Sequence, residues 1–240
     1  MAMTETRETR AFVQEMKFRV TPEQAGKIRE WARTRMAADP NAGGEGGDQY
    51  RVTSLYLDTG EMAVYERRGS YGRSKFRVRR YGESEWIYLE RKLKTQNRVG
   101  KQRSIVPGGE VAWLARDEAA KGWAGRWFHE RVLLRELRPV CQISYLRTAR
   151  MGMSGTGPVR LTVDEEVRAT PVNGYGFVPV DEGRLVTPEW RILELKYRLE
   201  VPGLFKELLQ EFGLSPEPSS KYRLAVEGLG LRRGVLCLSS

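Results

Sequence analysis

A carboxylate and a lysine two residues apart, set between apolar residues, occur in three separate stretches of this 240-residue chain. The stretches are residues 15–18 (EMKF), 89–93 (LERKL) and 193–197 (LELKY), and residues 75–79 (KFRVR) repeat the spacing with three cations. Residues i and i+2 of a strand point to the same side, so each stretch is expected to carry its charges on one face. The pattern therefore predicts a charged site that is spread across a sheet rather than held in one loop.

Eight segments have the alternation that is typical of strands. They are residues 11–20, 50–57, 73–81, 85–95, 99–106, 139–150, 159–170 and 190–198. Helices are predicted at residues 21–38, 58–68, 107–137, 202–212 and 222–229, the first with Thr21 and Gln24 as a capping box. Strands of this length joined by tight links, as around Gly82, favour one antiparallel sheet curled into a barrel. No repeat and no break in composition marks a linker, so residues 1–240 are expected to form a single domain.

The charge of the chain favours an anionic partner. Its 41 Lys and Arg against 31 Asp and Glu give a net charge of +10. Nucleic acid, an acidic membrane surface and a phosphorylated small molecule would all satisfy such an excess. The N-terminal residues have no apolar signal core, and no apolar run approaches the ~18 residues of a membrane span. A cytoplasmic protein is the expectation.

The few soft ligands of the sequence restrict the metals that it could bind. Cys141, Cys237 and the single histidine, His129, are far apart and in no metal-binding motif, so a zinc site of soft ligands is not expected. A bound metal is instead expected to be a hard ion on carboxylate oxygens, such as Mg²⁺ or Mn²⁺.

The recurrence of the charged face distinguishes this chain from an ordinary surface sheet. One Glu-x-Lys pair alone is more typical of a solvated strand face. Here, however, the charged positions recur on most of the predicted strands, and the residues between them, such as Phe76, Leu161 and Leu193, are good core residues. A barrel of about eight strands can hold a small ligand inside. If the apolar face is covered by helices, the charged face lines an interior tunnel whose cations require bound anions.

The order of these charged motifs along the chain resembles that of a known family, the VTC domain. That domain is the catalytic module of the yeast vacuolar transporter chaperone complex and is one of the triphosphate tunnel metalloenzymes. The resemblance covers about residues 12–229. Each motif is weak alone, but seven in this order are specific. The motifs are Glu15-x-Lys17, Ser54-Leu55-Tyr56-Leu57-Asp58, Lys75-x-Arg77-x-Arg79-x-Tyr81, Glu90-x-Lys92, Arg160-Leu161-Thr162-x-Asp164, Leu193-Glu194-x-Lys196 and Ser220-Lys221-Tyr222.

The resemblance implies an α+β fold, an antiparallel β-barrel tunnel of about eight strands with helices packed outside. It implies that Mn²⁺ or Mg²⁺ acts there with ATP, triphosphate or polyphosphate. Glu194 would be the leading metal ligand, with Glu15, Glu90 and Asp164 as lesser candidates or as partners of the basic residues. The catalytic residues would be Lys17, Arg77, Arg79, Lys92, Lys196 and Lys221. The phosphate-binding residues would be those six together with Lys75, Lys101, Arg103, Arg147 and Arg160.

One position departs from part of the family. Relatives that act as adenylyl cyclases or thiamine triphosphatases usually begin with Glu-x-Glu-x-Lys, whereas the leading position here is Val13. The chain is therefore expected to be nearer to the polymerase branch and to make polyphosphate from ATP. A tripolyphosphatase or nucleoside triphosphatase and a non-catalytic polyphosphate-binding module remain alternatives. A polymerase would call for a separate membrane protein partner to carry the product away. Nucleic acid is not expected to bind, because a nucleic-acid-binding surface would not account for the pairing of carboxylates with lysines.

Three further features that could carry chemistry are expected not to do so. His129 has no second histidine in its helical region and is expected to have a structural or a surface role. Ser220 has no base near it in the sequence, so it is expected to cap a helix rather than act as a nucleophile. The glycine-rich run at residues 43–47 lacks the Gly-Lys-Ser/Thr ending of a phosphate-binding P-loop and is expected to be a loop.

Overall fold

All eight predicted strands are present in the computed structural model, which describes residues 6–8, 13–39, 42, 47–94 and 99–231. Some predicted features lie outside the described residues: residues 11–12 at the start of the first predicted strand, residue 95 at the end of the fourth, residues 43–46 of the glycine loop, and Cys237. The strands are β1 (Thr6–Glu8), β2 (Val13–Val20), β3 (Ala37–Ala38), β4 (Gln49–Asp58), β5 (Ser74–Tyr81), β6 (Trp86–Lys94), β7 (Val99–Pro107), β8 (Arg138–Ser154), β9 (Gly157–Pro171), β10 (Arg184–Leu185) and β11 (Arg191–Arg198).

The strands form one antiparallel sheet in the order β1-β7-β6-β5-β4-β8-β9-β11-β2, with β3 paired to β8 and β10 paired to β9. The predicted α+β class fits, but the predicted closed barrel is not shown. Along the described ranges, the hydrogen-bonded path ends at β1, which pairs with β7, and at β2, which pairs with β11. The sheet is nevertheless strongly curled, because Lys92 Nζ on β6 lies 3.6 Å from Glu15 Oε2 on β2.

The apolar face of the sheet lies outward beneath helices, as predicted. The helices are α1 (Pro22–Arg35), α2 (Arg126–Leu134), α3 (Gly203–Glu211) and α4 (Lys221–Gly228). One core joins α1 and α3 to apolar residues of β2, β9 and β11, including the fully buried Phe18, Leu161 and Leu193. A second core joins α2 and α4 to β4–β8 and includes Phe76 and Val78. Strand alternation then directs the charged residues inward.

Two helix predictions are corrected by local chemistry. Residues 59–68 form turns rather than a helix. The buried Asp58 carboxylate accepts hydrogen bonds from the backbone N–H groups of Thr59, Val64 and Tyr65, which holds these turns against the end of β4. Of residues 107–137, only the 3₁₀ segment Gly108–Ala115 and α2 are helical.

The other helices agree better with the prediction. Thr21 and Gln24 form the expected capping box of α1. That helix ends at Arg35, earlier than predicted, because Ala37 and Ala38 pair with β8. In the described part of the chain, none of the helices combines the length and the apolar character needed to span a bilayer.

Candidate active site

The concave face of the sheet encloses a cavity of about 410 Å³ with a strong excess of positive charge. Ten Lys and Arg side chains line it, against two carboxylates. The predicted site residues among them are Lys17, Lys75, Arg77, Arg79, Lys92, Arg147, Lys196, Lys221, Glu15 and Glu194. Residues from β2, β5, β6, β8, β11 and α4 therefore meet in one place, which the sequence spacing alone indicated only strand by strand.

The two cavity carboxylates, Glu15 and Glu194, lie diagonally across the β2–β11 pair. Lys196 is opposite Glu15 in the register, and Lys17 is opposite Glu194. Lys17 Nζ lies 3.2 Å from an oxygen of each carboxylate. Burial and the neighbouring Glu194 would raise the pKa of the Glu15 carboxyl, but the surrounding lysines outweigh them and hold it at about 2. Burial would also raise the pKa of the Glu194 carboxyl, but Lys221, Lys17 and Lys196 hold it well below the usual range. Both carboxylates are therefore ionised at neutral pH.

Lys221 extends this cluster from the start of α4. Its Nζ lies 3.3 Å from Glu194 Oε1 and 2.5 Å from Asp164 Oδ2. Burial favours loss of its proton, but these two carboxylates raise its pKa above the ordinary lysine value. The buried lysine is thus kept as a fixed positive charge.

Glu90 is the centre of a separate basic cluster. It is 1 % exposed, and its oxygens lie 2.5 Å from Arg77 Nε, 2.8 Å from Lys101 Nζ and 2.5 Å from Arg103 Nη2. Burial would raise the pKa of its carboxyl, but the surrounding cations hold it well below the usual range. Because both oxygens are engaged, the geometry favours Glu90 as the residue that orients these cations.

Asp164 has a similar arrangement. Arg147 donates two hydrogen bonds to it, with Nε 2.6 Å from Oδ1 and Nη2 2.7 Å from Oδ2. The Asp164 side chain is fully buried and the Arg147 side chain almost fully buried. Lys221 contacts the same carboxylate as a second cation. Asp164 is therefore placed to orient Arg147 and Lys221, whose other faces line the cavity.

Arg160 lies apart from these clusters. Its guanidinium contacts Asp39 Oδ2 at 2.5 Å and donates a hydrogen bond of 2.9 Å to the Tyr50 hydroxyl. Asp39 directly follows β3, and Tyr50 is near the start of β4. Arg160 therefore links β9 to both of these segments.

Several cavity residues are absent from the predicted site residues, although Tyr56 and Tyr222 stand in the motifs that carry the resemblance. Arg67 reaches the cavity from the turns after β4, which lack a period that would have indicated its direction. Arg73 reaches it from the 3₁₀ segment Tyr71–Arg73, which precedes β5. Tyr56 stacks on Tyr222, with ring centroids 5.4 Å apart, and the Tyr222 hydroxyl donates a 2.5 Å hydrogen bond to Asp58. This contact fixes the start of α4, and with it Lys221, against β4.

The donors that fit a hard divalent ion are the oxygens of Glu15 and Glu194. Both carboxylates face the cavity, and their lysine contacts of 3.2–3.6 Å are looser than those of Glu90 and Asp164. Across the described ranges, no cluster of three or more His, Cys, Asp and Glu residues could enclose a metal by itself. A metal would therefore need oxygens of a bound phosphate or water as further ligands.

His129 lies outside the cavity and is structural, which is one of the two roles expected of it. It is fully buried, and its Nε2 lies 3.0 Å from the backbone carbonyl oxygen of Arg116.

Comparison with known proteins identifies the fold and the family. No curated protein matches the chain. A candidate adenylate cyclase from Bacillus halodurans has a similar structure, with a TM-score of 0.54 and 15% identity over 86% of this chain and 92% of that one. A candidate adenylyl cyclase from Hippeastrum, described as having a dominant triphosphatase activity, has a TM-score of 0.56 and 15% identity over 90% and 96%. At this identity the likeness shows the fold alone. The model of the VTC domain matches residues 12–229, most of the chain, and the protein therefore belongs to the VTC domain family.

Proposed function

We propose that the protein transfers phosphoryl groups of triphosphate or polyphosphate in this cavity, with Mn²⁺ or Mg²⁺, and that its main reaction is polyphosphate synthesis from ATP. The observation that carries the proposal is the lining of ten cations against two carboxylates. Such a concentration of positive charge in a partly desolvated space favours a ligand with several closely spaced negative charges. A linear chain of phosphates has that distribution.

The cations are held in place before a ligand binds. Arg77 is held by Glu90, and Arg147 and Lys221 are held by Asp164. Donors that are already oriented stabilise the charge that develops on phosphate oxygens without a cost of reorganisation at the moment of reaction. We infer that Glu90 and Asp164 position the phosphate-binding cations, and that Glu194 and Glu15 would hold the metal. A bound divalent ion would neutralise phosphate oxygens and polarise the phosphorus that is attacked.

Product analysis distinguishes the possible acceptors. The protein is incubated with ATP and Mn²⁺, and separately with tripolyphosphate and Mn²⁺, and the products are separated by chain length. Long-chain polyphosphate from ATP supports synthesis, in which phosphate or the growing chain is the acceptor. Free phosphate alone would make the protein a triphosphatase, in which water is the acceptor. Tight polyphosphate binding with neither product would make it a binding module.

A matched pair of glutamate variants tests the metal assignment. Glu194→Gln should abolish turnover and metal dependence, whereas Glu200→Gln, an exposed residue just beyond β11, should leave both unchanged. Full metal-dependent activity in Glu194→Gln would show that the metal is held elsewhere. Folding of both variants is checked by thermal unfolding.

A further inference from the structure

Ser220 and Lys75 form a contact in the cavity that differs from the ion pairs around it. Lys75 Nζ on β5 lies 2.9 Å from Ser220 Oγ, and both residues line the cavity. Ser220 immediately precedes α4, but its hydroxyl makes no capping hydrogen bond to the helix. Ser220 therefore occupies the predicted N-cap position, but its side chain does not do the capping. The sequence shows no base near Ser220, but the fold brings Lys75 of β5, 145 residues away in the chain, next to its hydroxyl.

Lys75 is also unlike the other lysines of the cavity. Lys17, Lys196 and Lys221 each contact a carboxylate, whereas no ion pair of Lys75 occurs among the described residues. The charged or titratable groups around it are Tyr56, Lys17, Lys92 and Arg67. Burial and these cations lower the pKa of Lys75 to about 8. A substantial fraction of Lys75 is therefore neutral at slightly alkaline pH and can accept a proton.

A hydroxyl within hydrogen-bond reach of an amine that can lose its proton is the arrangement of an activated serine nucleophile. We propose that Ser220 is a phosphoryl acceptor within the cavity and that Lys75 is its general base. The proposal rests on the proposed function, which supplies the phosphoryl donor, an inorganic or nucleoside triphosphate.

The step is balanced by groups already present. The Ser220 Oγ–P bond forms as the bond from that phosphorus to the bridging oxygen of the donor breaks. The electron pair leaves on the departing diphosphate, and the hydroxyl proton passes to Lys75 Nζ. The resulting ammonium group then lies beside the new phosphoserine, whose charge is also near that of Lys221. Water or a further phosphate chain can later take the phosphoryl group from the serine.

The experiment uses the full chain with tripolyphosphate or ATP, in the presence of Mn²⁺, followed by an acid quench. Phosphoserine survives acid, whereas phospholysine does not. Intact mass should show one added phosphate group, and peptide fragmentation should place it on Ser220. Ser220→Ala should not be labelled, whereas Ser219→Ala, the neighbouring serine in the same cavity, should be labelled.

Lys75→Arg separates the charge of this residue from its basicity. Arginine keeps the positive charge but does not deprotonate in proteins. It should therefore bind tripolyphosphate within a few-fold of the wild type, but label at a rate lower by about 10²-fold, the smallest usual contribution of a general base. Binding of tripolyphosphate also shows that the variant is folded.

Three results would overturn the proposal. Wild-type protein that consumes triphosphate without acid-stable label on Ser220 would refute it and leave the proposed function intact. Label that persists at the full rate in Lys75→Arg would refute the role of the base. Protein that neither binds nor consumes tripolyphosphate would overturn both this proposal and the proposed function.

Discussion

Replacing Glu90 by glutamine should destabilise the protein strongly, because this carboxylate is the counter-ion of several cations. Its oxygens lie within 2.8 Å of nitrogens of Arg77, Lys101 and Arg103, and Arg79 Nη1 lies 3.9 Å away. Glutamine keeps the size of the side chain but removes the charge. The four cations would then repel one another with no carboxylate at their centre.

The magnitude follows from the burial of the group. Removing one partner of a buried ion pair costs about 3–5 kcal/mol. This is a large part of the roughly 5–15 kcal/mol that stabilises a typical native protein. In a protein of this size, each kcal/mol lowers the melting temperature by about 2–4 °C, so a loss of roughly 6–20 °C is expected.

Urea unfolding at neutral pH gives the comparison, with Glu83→Gln as the matched control. The Glu83 side chain is 86% exposed and lies 3.5 Å from Arg80, so its loss should cost at most about 1 kcal/mol. If the two variants lose the same free energy of unfolding, the buried cluster does not depend on Glu90 and the reasoning is refuted. Added tripolyphosphate should stabilise Glu90→Gln more than the wild type, because the ligand replaces the missing negative charge.

The pH dependence gives a second check on the same residue. The folded pKa of Glu90 is well below its ordinary value. Its contribution to stability is therefore fully present above the unfolded pKa, about 4.3, and is lost as pH falls towards the folded pKa. The difference in unfolding free energy between wild type and Glu90→Gln should be constant at neutral pH and should shrink only in acid.

Three other measurements test the cavity. Tyr222→Phe should destabilise the protein by about 1–3 kcal/mol, since it removes the hydrogen bond to the buried Asp58; an unchanged unfolding midpoint would contradict this. Affinity for tripolyphosphate should fall as pH rises through 8, because Lys75 loses its proton and Tyr56, whose pKa is also about 8, gains a negative charge. Calorimetric titration should show a weaker fall in affinity with pH in both Lys75→Arg and Tyr56→Phe. If both variants keep the wild-type pH profile, these two groups do not cause the fall. Lys92→Gln should weaken binding by less than about tenfold, and less at high salt, because this half-exposed charge is screened; a larger or salt-independent loss would argue for a buried contact.

Strand positions were predictable because alternation is a local property of the chain. The segments around Phe76, Leu161 and Leu193 carry one apolar and one charged face, and both faces lie where the alternation predicts. The region after Asp58 was not predictable in this way. Its turns depend on a buried carboxylate that accepts backbone hydrogen bonds over seven residues, a contact that composition and period do not reveal.

The sequence by itself determined the eight long strands, the inward direction of their charges and the excess of cations over carboxylates. Tertiary structure alone decided how the carboxylates differ. Glu90 and Asp164 are saturated by cations from neighbouring strands and from α4, whereas Glu15 and Glu194 face the cavity. It also decided that Ser220 meets Lys75. The physical reason is that side-chain direction follows from the period of one strand, whereas charge pairing depends on the register between strands and on where α4 packs.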